Sequence, residues 1–393
     1  MSVALAAATD ALLGTYRRAP MELVRGEGVE LFDADGRSYL DFVAGIAVNA
    51  LGYGDAGLKR AMHDAVDGDL VHVSNLYRTS PGERLSAKLV ENSFADRVFF
   101  CNSGAEANEG AFKMARRWAR AHGETSKNEI IALRGAFHGR LFGTLAATDR
   151  WQYRMPFRPL AGGISITERD LGELDGKLNP ETVAAVIVEP VQGEGGVRVI
   201  DPEFLRGLRT LTAERNVLLI VDEIQCGYGR TGKFWAYEHA GITPDMLTTA
   251  KPMAGGLPMG AILMTQAVAD AMQPGDHGTT FGGGPFVASV ALHVFDRLND
   301  PKMLAHVTTQ GAWLGAALHA LAARSMKVRA VRGLGYMWGL DVTEAAKDVV
   351  ARALDLGLLI CSAGEHTLRL LPPLMATRAD LERGVRLLEQ AIG

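Results

Sequence analysis

The stretch from Val217 to Gly260, VLLIVDEIQCGYGRTGKFWAYEHAGITPDMLTTAKPMAGGLPMG, constrains the fold more than any other part of the sequence. It opens with the apolar run Val217-Leu218-Leu219-Ile220-Val221 and stops at Asp222-Glu223. A run of that length ended by carboxylates reads as a strand buried on both faces of a parallel sheet. Open α/β sheets bind ligands beyond the C-terminal ends of their strands, which is where Asp222 would stand. A second apolar segment, Met246 to Ala250, ends at Lys251 and runs on to Gly255-Gly256. The sequence therefore predicts a carboxylate and a lysine leaving one edge of one sheet. That pairing suits pyridoxal phosphate (PLP): an amine for a Schiff base, and an acid that keeps the pyridinium nitrogen protonated so the ring draws off electrons. An Asp-Glu pair also serves as a helix cap, and a lone Lys is commonly a surface charge, so the rest of the chain has to supply the support.

Composition narrows the class. A length of 393 residues implies two domains or more, and 48% hydrophobic with 22% charged residues is ordinary for a globular enzyme. A formal net charge of -4 gives no electrostatic case for nucleic acid or an anionic membrane. Cys101, Cys226 and Cys361 are widely spaced and contain no CxxC pair. They point to a reducing compartment without a metal or disulfide framework. The opening MSVALAAATDALLGTYRRAP lacks a basic leader, and Asp10 interrupts its short apolar stretch. No run approaches the ~20 apolar residues needed to cross a bilayer, so the expected location is cytoplasmic.

Along the chain, residues 25–43 alternate apolar and polar around Asp33-Ala34-Asp35-Gly36, the pattern of a β-hairpin. Leu58 to Leu70 has helical spacing. A second helix is predicted from Ser80 to Asn92, with Ser80 as cap and Pro81 in the first turn. The strand Arg97–Phe100 leads straight into CNSGAEANEGAFKMARRWARAHG, a strand-to-helix junction of the kind that binds anions. Further strands at 130–133, 184–188 and 261–264 alternate with helices, which predicts a mixed or mostly parallel doubly wound sheet. Beyond about residue 290 two helices, around 302–324 and 344–356, flank a strand VRGLGYMWGLDV. In the final helix Leu381, Val385, Leu388 and Ile392 form one apolar stripe. We expect a large domain over 46–289 and a smaller α/β domain built from 1–45 and 290–393.

The blocks LDFVAGIAVNALG, FFCNSGAEANEGAFKMAR, GAFHGR, VEPVQGEGGV, LLIVDEIQCGYGRTGKF, PDMLTTAK, HGTTFGG, VRGLGYMWGL and LRLLPPL span nearly the whole chain. In that order the sequence resembles the class III aminotransferases of PLP fold type I, and within them the acetylornithine aminotransferases. The resemblance implies a role for each matching residue. Ser103, Gly104 and Ala105 would cradle the phosphate; Phe137 would stack on the ring, Asp222 would pair with its nitrogen, and Gln225 would bond near its phenolic oxygen. Lys251 would carry the cofactor and then move the proton. Thr280 would reach the phosphate of a neighbouring subunit's cofactor, making the active site complete only in a homodimer. Thr279 would contact the acylated substrate. Arg140 would bind that substrate's carboxylate. Arg369 would grip the α-carboxylate of 2-oxoglutarate, and Glu194 would pair with Arg369 until the keto acid arrives. No metal is implied.

The expected reaction moves the δ-amino group of N2-acetylornithine to 2-oxoglutarate. Rivals within the fold are aminotransferases acting on succinylornithine, succinyldiaminopimelate, ornithine or 4-aminobutyrate. An aminomutase would need no second dicarboxylate, so Glu194 and Arg369 together argue against one. A PLP-binding protein without turnover is the rival of another class. Three places depart from the family pattern: Gly52-Tyr53-Gly54-Asp55-Ala56, Pro252 beside Lys251, and Gly284 in Gly283-Gly284-Pro285.

Overall fold

The computed structural model describes residues 11–393, so the first ten residues of the N-terminal segment, including Asp10, lie outside it. Three strands, β1 (Leu23–Glu27), β2 (Glu30–Asp33) and β3 (Ser38–Asp41), replace the single hairpin expected. The Asp-Ala-Asp-Gly turn joins β2 to β3: Asp33 Oδ1 accepts the N–H groups of Asp35 and Arg37 at 3.1 and 2.9 Å. A further antiparallel pairing adds β1.

Next comes a turn of the opposite hand to an ordinary helix. Ala44, Gly45, Ile46 and Ala47 all have φ between 49° and 67°. Left-handed backbone costs roughly 1–2 kcal/mol per non-glycine residue, so this turn has to be held. Asp41 Oδ1 accepts the N–H groups of Val43 and Ala44 at 2.7 and 3.1 Å, and the Tyr53 hydroxyl donates to Asp41 Oδ2 at 2.6 Å. Tyr53, one of the departures from the family pattern, is therefore part of the brace. Asp55, in the same block, caps helix Ala56–Asp67 by accepting Leu58 N–H at 2.7 Å, which starts the helix two residues before the apolar spacing suggested. In the next helix, Ser80–Glu91, Thr79 holds the N-cap position without a side-chain capping bond, and Ser80 is the first helical residue rather than the cap.

The central sheet collects β4 (Arg97–Cys101), β5 (Glu129–Leu133), β6 (Ile164–Thr167) and β7 (Val183–Val188). After a short ribbon, β8 (Val191–Gln192) with β9 (Arg198–Val199), it adds β10 (Leu218–Asp222), β11 (Met246–Thr249) and β12 (Gly260–Met264). Its order is β4-β12-β11-β10-β7-β5-β6, and all but β12 run parallel. Every residue of β7 and β10 is buried. Alternation along β10 explains why its apolar run is unbroken: Leu219 and Val221 enter one core cluster, Leu218 and Ile220 the other. Each such side chain contributes roughly 1.5–3 kcal/mol on leaving water. Helix Gly104–Ala121 crosses β12, β11 and β7 on the second side.

Helix Pro301–Arg324 precedes β13 (Val328–Leu334) and β14 (Met337–Val342), an antiparallel pair where the sequence suggested one strand. The fold-back occurs at Gly335, φ 58°, where a Cβ would come within 2.5 Å of the Arg230 carbonyl oxygen. Short strands β15 (Leu358–Leu359), β16 (Cys361–Ser362) and β17 (Thr367–Leu370) follow, then helix Arg378–Ile392 with its predicted stripe buried. β15 runs parallel to β3, joining the chain's two ends in one sheet. On that pairing we propose the division into a part over 46–289 and a part made from the flanking segments.

Glu223 has a separate task from its neighbour Asp222. It is fully buried, and its carboxyl accepts the N–H groups of Ala236 and Tyr237 at 2.8 and 2.7 Å. Burial pushes its pKa up to about 8. A raised pKa means the folded chain keeps a proton that the unfolded chain releases. The associated stability is complete below the ordinary carboxylate range and is lost as pH rises through about 8. Glu223→Gln can accept only one of the two N–H groups. Melting curves from pH 5 to 9 should show it less stable than wild type at pH 5, by on the order of a few kcal/mol, with the gap narrowing towards pH 9.

Candidate active site

Five parallel strands deliver side chains to one end of the sheet. β4 leads to Gly104 and Ala105, β5 to Phe137–Arg140, β7 to Glu189 and then Glu194, β10 to Asp222 and Gln225, and β11 to Lys251. Together they line a cavity of about 240 Å³.

Asp222 is the most constrained group. Its Oδ2 accepts from Asn108 Nδ2 at 2.7 Å and lies 2.8 Å from His138 Nδ1, while Oδ1 accepts Ile224 N–H at 3.0 Å. Asn108 is itself fully committed. Its amide also donates to the His138 carbonyl at 2.9 Å, and its oxygen accepts the Thr248 hydroxyl at 2.7 Å. Helix, sheet and loop thus fix one carboxylate, whose outer side lines the cavity. Lys251 lines it too. Burial lowers its pKa, and the positive charge of Arg369 adds to the effect against the pull of Glu194, Asp222 and Glu189. Such an amine gives up its proton more readily than a surface lysine.

The start of helix Gly104–Ala121 faces the same space. The Ser103 hydroxyl accepts Glu106 N–H at 3.2 Å, capping the helix, and keeps its own hydrogen free to donate. The N–H groups of Gly104 and Ala105 remain, at the positive end of the helix dipole. Glycine at 104 lets the Ile224 side chain pack close, since a Cβ would meet it at 2.8 Å. Phe137 forms a wall, and its N–H donates to Glu189 Oε1 at 2.9 Å. Glu189 Oε2 accepts Gly193 N–H at 3.3 Å, and burial raises the Glu189 pKa.

Arg369, 2% exposed, stands behind Glu194. Its Nη1 donates to Glu194 Oε1 at 2.6 Å and to Gln225 Oε1 at 3.2 Å. Arg140 lies at the other side, its guanidinium exposed and stacked 3.5 Å above the Tyr153 ring. Thr279 and Thr280 are not brought into this cavity. They line a separate one of about 750 Å³, with Thr279 Oγ1 accepting from Asn102 at 3.0 Å. Asn108, His138, Thr248, Glu189 and Tyr153 escaped the sequence reading. Asn108 carried a usable signal, being a polar residue on the apolar face that includes Ala107, Ala111 and Ala115.

An amine, a ring-facing carboxylate, an aromatic wall and a helix N-terminus make a donor set that fits PLP. Removing the keystone is testable without cofactor. Asn108→Leu, close in size, should lower the free energy of unfolding in urea by about 1–3 kcal/mol, because the Asp222 carboxylate and the Thr248 hydroxyl both lose a buried partner.

The sequence family described as Aminotransferase class-III matches residues 14–392. A mitochondrial acetylornithine aminotransferase from Alnus glutinosa is 44% identical over 98% of this chain and 86% of its own length. A succinylornithine transaminase from Yersinia enterocolitica is 42% identical over 97% of this chain and 94% of its own. The solved N-acetylornithine aminotransferase of Stenotrophomonas maltophilia superposes with a TM-score of 0.84 at 35% identity, covering 96% of each chain. The site geometry, the family match and these likenesses agree, and the chain belongs to the class-III aminotransferases, a family of PLP-dependent enzymes.

Proposed function

We propose that the protein moves the δ-amino group of N2-acetylornithine to 2-oxoglutarate, giving N-acetylglutamate 5-semialdehyde and glutamate, a step of arginine biosynthesis. The observation that carries this reading is the Arg369–Glu194 pair, closed at 2.6 Å on one flank of the cavity while Arg140 is open on the other. A transaminase takes two substrates in turn, and only one of them brings a second carboxylate. Glu194 neutralises Arg369 while the acylated amine occupies the site, and Arg140 holds that donor's carboxylate. When 2-oxoglutarate enters, Glu194 turns away and Arg369 grips the α-carboxylate, the bidentate partner for which guanidinium is suited.

Bound PLP supplies an aldehyde that carries the amino group and a ring that withdraws electrons from the substrate carbon. Asp222, kept in place by Asn108 and His138, would hold the proton of the ring nitrogen. The N–H groups of Gly104 and Ala105 would hold its phosphate, Phe137 would wall the ring, and Gln225 would bond near its phenolic oxygen. Lys251 Nζ, with its lowered pKa, takes and returns the proton at the substrate carbon. Thr279 and Thr280, exposed or half-buried around the second cavity, serve the neighbouring subunit of a homodimer. Among the described residues no helix is long and apolar enough to cross a membrane, and the three cysteines are free. A cytoplasmic location and small amino- and keto-acid substrates belong to the same proposal.

N2-succinylornithine is a second reading of the donor, favoured by relatives of that name at nearly equal identity. Initial rates on a panel of acylated and free ω-amines, with 2-oxoglutarate fixed, decide between them. The purified protein should be yellow, fade with glutamate and recover with 2-oxoglutarate; colour indifferent to both would sink the reading. Arg369→Ala should lower kcat/KM for 2-oxoglutarate by roughly 100-fold, the scale of a buried charge pair, with the donor half-reaction changed less than about tenfold.

A further inference from the structure

Arg369 has a third partner. β16 and β17 pair antiparallel with Cys361 directly opposite Arg369, which sets the two side chains on one face. Arg369 Nε lies 3.4 Å from Cys361 Sγ, and that sulfur lies 3.9 Å from the Arg369 carbonyl oxygen. A thiol has one hydrogen to donate and lone pairs that accept weakly. The two contacts fit one arrangement: S–H donates to the carbonyl, and Nε–H donates to the sulfur.

The partners of Arg369 then divide by charge and by mobility. Glu194 is charged and its side chain is 23% exposed, while Gln225 and Cys361 are neutral and set on packed backbone. Arg150 donates to the Glu194 backbone carbonyl, so only the Glu194 side chain has to move. Once it leaves, Nη1 keeps Gln225 and Nε keeps Cys361. Neither cancels the positive charge, which stays whole for an incoming carboxylate. A carboxylate at either fixed position would satisfy the guanidinium permanently and close the site to acids.

We propose that Cys361 is a positioning residue for the keto-acid acceptor: its neutral thiol anchors the Nε edge of Arg369, keeping the guanidinium aimed and charged when Glu194 swings out. The proposal rests on the roles given to Arg369 and Glu194 above.

The test uses the full PLP-loaded chain, with glutarate, an unreactive dicarboxylate, as the calorimetric probe. Cys361→Ala should weaken glutarate binding and raise the KM for 2-oxoglutarate by about fivefold, the scale of one ordinary hydrogen bond, as befits a weakly accepting sulfur, while the donor half-reaction stays within about twofold. Cys361→Ser, which keeps a hydroxyl that donates and accepts, should return both values to within about twofold of wild type. Cys361→Asp should all but abolish glutarate binding, by more than about 20-fold, and spare the donor half-reaction. The proposal is overturned if the Ala variant binds glutarate as wild type does, if Ser is no better than Ala, if both half-reactions fall together, or if wild type binds no glutarate. Should wild type bind glutarate yet aminate nothing from any acyl donor, the functional reading fails, and the anchoring role is still decided by the binding series.

Discussion

A carboxylate removed from water must be given donors, and the site is built outward from that requirement at Asp222. Burial without partners would cost several kcal/mol or force the group to take up a proton. Asn108, His138 and the Ile224 N–H supply the donors, and each arrives from a different piece of chain. The helix after β4, the loop after β5 and the end of β10 are thereby fixed relative to one another. Because Asn108 is also engaged by Thr248, β11 joins the same network, and Lys251 leaves that strand a few residues later. The relative placement of the acid and the amine follows from these bonds.

The second half of the site uses charge differently. Around Asp222 every partner is fixed, whereas around Arg369 one partner is charged and half-exposed and two are neutral and held. Glu189 links the halves, joining the Phe137 backbone to Gly193 beside Glu194. The loop that carries the movable carboxylate is therefore tied to the wall against which the ring would lie. At Gly193 the loop backbone passes close to the Gln225 amide, since a Cβ there would meet Gln225 Oε1 at 2.0 Å.

Much of this could be read from residues alone, for identifiable reasons. Strands buried on both faces announce themselves as unbroken apolar runs, so β7, β10 and β11 were legible, and Asp222 and Lys251 stood out as the charges that end two of them. Direction within the sheet was not: β12 is as apolar as its neighbours, and its reversal is imposed by the short connection after Lys251. The fold-back at Gly335 was hidden because the pattern of β13 and β14 reads through it, and only the close approach of Arg230 shows why glycine is there. Asn108, His138 and Glu189 look like ordinary polar residues until the fold buries them against Asp222 or the cavity loops. Glu223, adjacent to Asp222 in sequence, was indistinguishable from it in kind, yet it faces the Ala236–Tyr237 backbone.

The union of the chain's two ends has a consequence for how the protein is made. Leu371 N–H bonds to the Phe42 carbonyl and Leu374 N–H to the Ala50 carbonyl, both at 2.7 Å, immediately after the strand that bears Arg369. The central sheet has all its strands once Met264 has left the ribosome, whereas this seam waits for a partner made more than a hundred residues later. Contacts so distant in sequence form late. During synthesis the chain therefore acquires a berth for a vitamin-derived ring before it acquires the means to tell one acid from another.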